Sequence, residues 1–372
     1  MADTSQIEKE NMLSQIQLYS ILTRAMLGGF LLGIYRIVIG KAGRDAWISI
    51  ILGGLLALLS SLVSIFLCRR FPGYTFVEYA QFIVGKWMGR FLGMLLIIYF
   101  IFLAGIFLRF MGELVVSWIL PETPLLIILT LSLTVIPYMV RKGILVLGRY
   151  CTIITVASMS ILIIMLFPAS DWMISNILPL GQEGVRGILS GIPSSVFGFA
   201  GYESILMIYS YAQDTNKTVK TVTIALAYAI FAYTLATFCL LLFFGPKTLQ
   251  FVTFPPMVYL ETVEIPLIER LDMFTFFIAL FAISASIGVM YSMASLGGGL
   301  LFKLGERKKA ALFVFPLVLL IAWLPENVAV LADIYTLIGA ASMAVGLGIP
   351  LLLLILSLLM KKEGGIKLDR TE

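Results

Sequence analysis

Apolar residues run along the chain in stretches of about twenty, separated by short polar or charged segments. A hydrocarbon core about 30 Å thick needs about 20 helical residues to cross it. Ten stretches qualify, near 15–39, 46–68, 91–118, 124–140, 143–167, 187–211, 221–244, 272–300, 310–324 and 328–360. The pattern predicts an all-α polytopic membrane protein with ten transmembrane helices. A polar segment, 1–14, precedes the membrane domain of 15–360, and a charged tail, 361–372, follows it. Between the second and third stretches, Tyr74–Arg90 mixes Phe76, Tyr79, Phe82 and Trp87 with Glu78, Lys86 and Arg90. It reads as an amphipathic helix on the membrane surface.

An even number of spans invites division into two halves of five, about 15–167 and 187–360. Membrane transporters often repeat a five-helix unit in inverted orientation, and interrupt matching helices where the ligand binds. Spans one and six would be those helices. Span one contains Gly28-Gly29-Phe30, and span six contains Gly198-Phe199-Ala200-Gly201-Tyr202-Glu203. Glycine costs about 1 kcal/mol relative to alanine inside a helix, yet it lets backbone groups unwind toward a protein-lined cavity. Small residues also serve close helix packing, which suffices for Gly53-Gly54 and Gly297-Gly298-Gly299. The matched placement in spans one and six favours a ligand site.

Composition narrows the class. Charged residues make up 13% of the chain and hydrophobic ones 60%, against about 25% charged in a soluble domain. Histidine is absent, which excludes imidazole haem ligation, HExxH zinc sites and Ser-His-Asp triads. No Asp or Glu cluster has metal-ligand spacing and no phosphate-binding loop occurs, so neither an enzyme, a metal nor a cofactor is expected. Cys68, Cys151 and Cys239 lie in or beside apolar runs without CxxC spacing, as small buried hydrophobes do. The N-terminal segment lacks the basic start and short apolar core of a signal peptide.

Of 26 Lys and Arg, seventeen fall on the side that holds both termini and six on the other. The positive-inside rule therefore places both termini in the cytoplasm. Arg24, Arg109 and Arg149 lie within spans, as do Glu113 and Glu203. Such residues are costly facing lipid and face the bundle interior. Arg109 and Glu113 stand four apart, the spacing of an intrahelical ion pair. With Arg149 and Glu203 they form the expected intramembrane charge network. Glu203, one residue past Tyr202 at the second break, is free to pair with an arginine, bind a proton or cation, or meet an amine.

These residues resemble a known family. Met26 through Leu32 to Arg36, Gly85-Lys86-Trp87-Met88-Gly89-Arg90, Gly198 to Glu203, and above all Phe254-Pro255-Pro256-Met257 through Glu269-Arg270-Leu271-Asp272 are similar to the B subunits of endospore germinant receptors. Tyr99, Arg109 and Glu113 in span three and Trp323-Leu324-Pro325 before span ten agree. The resemblance runs nearly end to end. It implies the amino acid–polyamine–organocation superfamily fold, a 5+5 inverted repeat with helices 1 and 6 discontinuous. It also implies the spore inner membrane, a complex with an A subunit and a C-subunit lipoprotein, and a small nutrient ligand. The first break departs from the superfamily's Gly-x-Gly spacing, so individual backbone donors do not transfer.

An amino-acid nutrient is expected to place its carboxylate at the freed N–H groups of Gly28, Gly29 and Phe30, where half-helix N-termini are electropositive. Its amine would face carbonyls of Gly198–Ala200. Phe199 and Tyr202 would shape the pocket, with Ser284, Ser286 and Tyr291 of span eight lining it, Gly201 giving room and Glu203 stabilising the unwound segment or sensing charge. Glu264, Glu269 and Arg270 are expected to dock partners. The competing readings are a proton- or sodium-coupled amino acid permease and a scaffold whose outer segment only docks.

Overall fold

The computed structural model describes residues 12–28, 33–263, 270–302, 307–325 and 337–364. Ser14 opens the first helix, α1 (Gln15–Leu27), with a capping box: its hydroxyl accepts from Gln17 N at 3.3 Å and the Gln17 side chain accepts from Ser14 N at 3.0 Å. Two of the helix's orphan donors are thereby satisfied. After the break come α2 (Ile34–Ala42) and α3 (Ala46–Arg70). The first half continues through α4 (Phe76–Val84), α5 (Lys86–Trp118), α6 (Leu125–Arg141) and α7 (Ile144–Ile164).

The second half holds α8 (Gly184–Gly198), the short α9 (Ile205–Ile208), α10 (Thr218–Leu249), α11 (Pro255–Glu261), α12 (Leu271–Leu301), α13 (Arg307–Trp323) and α14 (Leu337–Leu359). Gly245, at φ +73°, kinks α10 near its end, and one π turn, Ala344–Gly348, lies in α14. Residues 328–336 of the expected tenth span lie outside the described residues. Among the described residues the structure is helical, and six helices are long and apolar enough to cross a membrane. The shorter α6 and α13 fall where spans four and nine are expected.

The packing relates the halves. α5 packs along α12, α3 along α10, and α6 along α13, so corresponding helices meet in pairs. α3 also lies against α8 and α10 against α1, an exchange that a pseudo-two-fold relation between the halves produces. Large apolar side chains such as Leu59, Val135, Ile153 and Phe281 are exposed on the outer faces of α3, α6, α7 and α12. In a multi-pass membrane protein those faces meet lipid instead of water.

The Tyr74–Arg90 segment differs from the expected surface helix. Glu78 caps α4 by accepting from Thr75 N at 2.9 Å, and the helix stops at Gly85, whose φ of +86° turns the chain into α5. Phe76, Tyr79, Ala80 and Ile83 are buried in protein, with α4 packed on α5. The apolar face that suits a bilayer surface is covered by the protein's own helices, while Trp87 remains 85% exposed.

Candidate functional site

Helix α1 ends at Leu27 and helix α8 at Gly198, and these two ends meet inside the bundle. Past Gly198 the chain reaches Gly201, at φ +116°, before a 3₁₀ turn over Tyr202–Ser204 leads into α9. A Cβ at Gly201 would stand 2.4 Å from the Ala25 carbonyl oxygen. Only glycine combines that left-handed backbone with that approach. At Gly28 a Cβ would overlap the Ser286 side chain. Gly29 and Phe30 lie outside the described residues.

Three side chains hold the breaks. The Tyr233 hydroxyl, from α10, lies 3.0 Å from the Met26 carbonyl oxygen and 2.7 Å from that of Gly198, so one O–H serves a freed carbonyl at each break. The Ser286 hydroxyl of α12 donates to the Arg24 carbonyl. Glu203, fully buried, accepts from Gly201 N at 2.7 Å and from Tyr99 OH at 3.0 Å, and also from the Ser342 hydroxyl. Unwound backbone at membrane depth must be satisfied by protein groups, and these residues supply that need. Tyr202 adds a bond from its hydroxyl to the Ser342 carbonyl at 3.2 Å.

The other expected residues are distributed around this centre. Phe199 is buried and its ring meets Tyr233 edge-on at 5.1 Å, and Ala200 is buried beside it. The Ser284 hydroxyl lies 2.5 Å from Tyr150 OH, and the Tyr291 hydroxyl donates to Ala311, so both engage neighbours away from the break. Arg109 pairs with Glu113, Nη2 to Oε1 at 2.6 Å, and donates to the Ala322 carbonyl at 3.4 Å. Arg149 is exposed on the second turn of α7. Glu203 therefore meets hydroxyls and an amide, with no ion pair to an arginine among the described residues. Arg270 pairs with Asp272 at 3.2 Å on the surface, while Glu264 and Glu269 lie outside the described residues.

Sequence reasoning missed Tyr233 and Ser342. A hydroxyl in mid-span was the available signal, but mid-span hydroxyls are common here and many, such as Thr237, only bond back to their own helix. Among the described residues no three His, Cys, Asp or Glu side chains gather as a metal site would require.

Two interrupted helices, joined at their breaks inside two packed sets of helices, define a membrane protein with a transporter-like fold. Solved structures of this fold include MhsT in complex with L-phenylalanine, at 12% identity and TM-score 0.66 over 95% of this chain and 90% of that one. A substrate-bound Na⁺-coupled sialic acid symporter matches at 13% identity and TM-score 0.65, over 91% and 78%. Within that class the chain belongs to the spore germination protein family of spore permeases, whose model matches residues 12–329. Spore germination protein YndE of Bacillus subtilis is 27% identical over 91% of this chain and 94% of its own length. Spore germination protein GerQB of Bacillus cereus is 23% identical over 85% and 86%. The germinant-receptor resemblance read from the sequence thus holds at the level of family and fold.

Proposed function

We propose that this chain is the B subunit of a spore nutrient germinant receptor, sensing a small nutrient such as an amino acid where the two interrupted helices meet. The observation that carries the reading is the Tyr233 hydroxyl shared between the Met26 and Gly198 carbonyls, in a chain of the spore germination family. A nutrient carboxylate would lie toward Gly28–Phe30 and its ammonium toward Gly198–Ala200. An ammonium is a stronger donor than a phenol, so its arrival displaces Tyr233 from Gly198. That exchange supplies the differential interaction a ligand needs to shift a bundle between two arrangements.

The shift passes to an A subunit and a C-subunit lipoprotein in the spore inner membrane, with both termini cytoplasmic and Glu264, Glu269 and Arg270 on the outer docking segment. The test is nutrient-triggered germination of spores carrying Gly201→Leu, with receptor assembly monitored by immunoblot. Loss of response in an assembled receptor is expected; a normal response refutes the pocket.

The fold shared with coupled symporters supports a second reading, a proton- or sodium-coupled amino acid permease. Sustained uptake into reconstituted vesicles that depends on an ion gradient and is lost in Glu203→Gln would favour it over sensing.

A further inference from the structure

Trp87, Arg90, Phe91 and Met94 stand at i, i+3, i+4 and i+7 in the first turns of α5, and so share one face of that helix. α4 packs on a different face, at Gly89, where a Cβ would stand 2.4 Å from the Gln81 Cα. Trp87, Phe91 and Met94 are left exposed. The end of α12 lies beside them, and Leu301 with the exposed Phe302 completes an open groove of about 390 Å³. That size falls within the range of about 300–1,000 Å³ usual for small-ligand sites.

The groove is apolar except at Arg90, and no Asp or Glu lines it. Among the described residues the Arg90 Nε is buried without a hydrogen-bond partner, and no carboxylate pairs with the side chain. A second groove, between the ends of α3 and α14, differs because Arg70 there already pairs with Glu363 at 3.0 Å. The chain around the Arg90 groove is basic as well: Lys86 opens α5, and Arg307, Lys308 and Lys309 open α13. α5 has 33 residues, against about 20 that cross a hydrocarbon core, so its ends reach headgroup level. Tryptophan favours that level, and Phe91 and Met94 stand one turn further along α5, toward the hydrocarbon.

We propose that this groove holds one anionic phospholipid, its phosphate diester against the Arg90 guanidinium and an acyl chain along Phe91, Met94 and Phe302. A guanidinium fork matches phosphate oxygens. Free phosphate would leave the apolar wall bare. A zwitterionic lipid would bring an ammonium toward Lys86 and Arg90, which repel it, so a headgroup uncharged beyond its phosphate, as in phosphatidylglycerol, fits best. The site is separate from the two helix breaks and stands whether the chain senses or transports its nutrient.

The test reconstitutes the full chain in phosphatidylcholine vesicles with a minor share of brominated phosphatidylglycerol or brominated phosphatidylethanolamine, and follows quenching of tryptophan fluorescence. The chain has five tryptophans, so the Trp87 signal is the difference between the parent and Trp87→Phe. Phosphatidylglycerol is expected to quench Trp87 in preference to phosphatidylethanolamine. Arg90→Gln should cut that preference about fivefold, equivalent to the roughly 1 kcal/mol that one basic residue contributes near an anionic surface. Arg90→Lys keeps the charge and should keep most of the preference, and Arg141→Gln, at an exposed arginine ending α6, should leave it unchanged. Equal quenching by the two lipids, or a preference that survives Arg90→Gln, overturns the proposal. So does an equal loss in Arg90→Lys, which assigns the effect to folding, or in Arg141→Gln, which assigns it to diffuse charge. Abolition of the preference by inorganic phosphate overturns it by showing that the apolar wall adds nothing. Quenching of Trp87 by neither lipid overturns it by showing the groove covered by a second copy of the chain.

Discussion

The hydroxyl of Tyr233 stands 2.7 Å from the carbonyl oxygen of Gly198, the last residue of α8, 35 positions earlier in the chain. Because the same hydroxyl reaches Met26 on α1, it joins the two interrupted helices at one point. Tyr233→Phe keeps the ring, and its edge-on contact with Phe199, while leaving both carbonyls without that donor. A buried polar group left unsatisfied costs about 1–3 kcal/mol. The expected outcome is a lower melting temperature than the parent in the same detergent, with Tyr228→Phe, which leaves both break carbonyls bonded, changing it less.

Glu203 separates two substitutions. In Glu203→Leu the Tyr99 and Ser342 hydroxyls can rotate to other acceptors, but the Gly201 N–H cannot, and it is stranded at a cost of about 1–3 kcal/mol. Glu203→Gln retains an oxygen for that N–H and offers an amide to hydroxyls that also accept. Thermal unfolding should place Gln near the parent and Leu well below it. Equal losses for both would mean that negative charge, not hydrogen-bond satisfaction, holds the second break.

Gly201→Ala and Gly73→Ala test close approach against backbone conformation. Both glycines have positive φ, +116° and +80°, but nothing lies within 4 Å of a Cβ at Gly73. Gly73→Ala carries only the cost of the left-handed conformation, about 1–2 kcal/mol. Gly201→Ala adds a collision with the Ala25 carbonyl and should melt lower still. Matching losses would show that α1 yields to admit a methyl group.

Removing Glu113 takes one carboxylate partner from the buried Arg109 guanidinium. Glu113→Leu is expected to destabilise by about 3 kcal/mol, near the lower end for a broken buried pair because Glu113 is 17% exposed. The double variant Arg109→Met/Glu113→Leu should recover much of that loss in a double-mutant cycle followed by chemical denaturation. No recovery would assign the stability to contacts other than the pair.

The parts legible in the sequence were those set by local spacing. Apolar runs marked the helices, paired small residues marked both interruptions, and the four-residue interval of Arg109 and Glu113 marked their ion pair. The contacts that complete the centre were not legible, since Tyr233 reaches Met26 across 207 positions and Ser342 reaches Glu203 across 139. Charge alone also grouped Glu203 with the arginines, whereas hydroxyls satisfy it. Arg24 was visible as a charge at depth, but that its Nε meets no hydrogen-bond partner among the described residues is a property of the folded interior. The Tyr74–Arg90 segment shows the same limit, because an amphipathic pattern does not say whether lipid or protein covers its apolar face.

Leu13 lies just ahead of α1, and its backbone N–H donates to Tyr211 O at 2.7 Å while its carbonyl accepts from Gln213 N at 3.0 Å, forming the bridge to Ala212. These two bonds latch the start of the first interrupted helix to the segment that follows the second. At about 0.5–1.5 kcal/mol net per hydrogen bond, two such bonds are weak enough to release by thermal motion, so hydrogen exchange at the Leu13 and Gln213 amides reports how often the two interrupted helices come untied at this point.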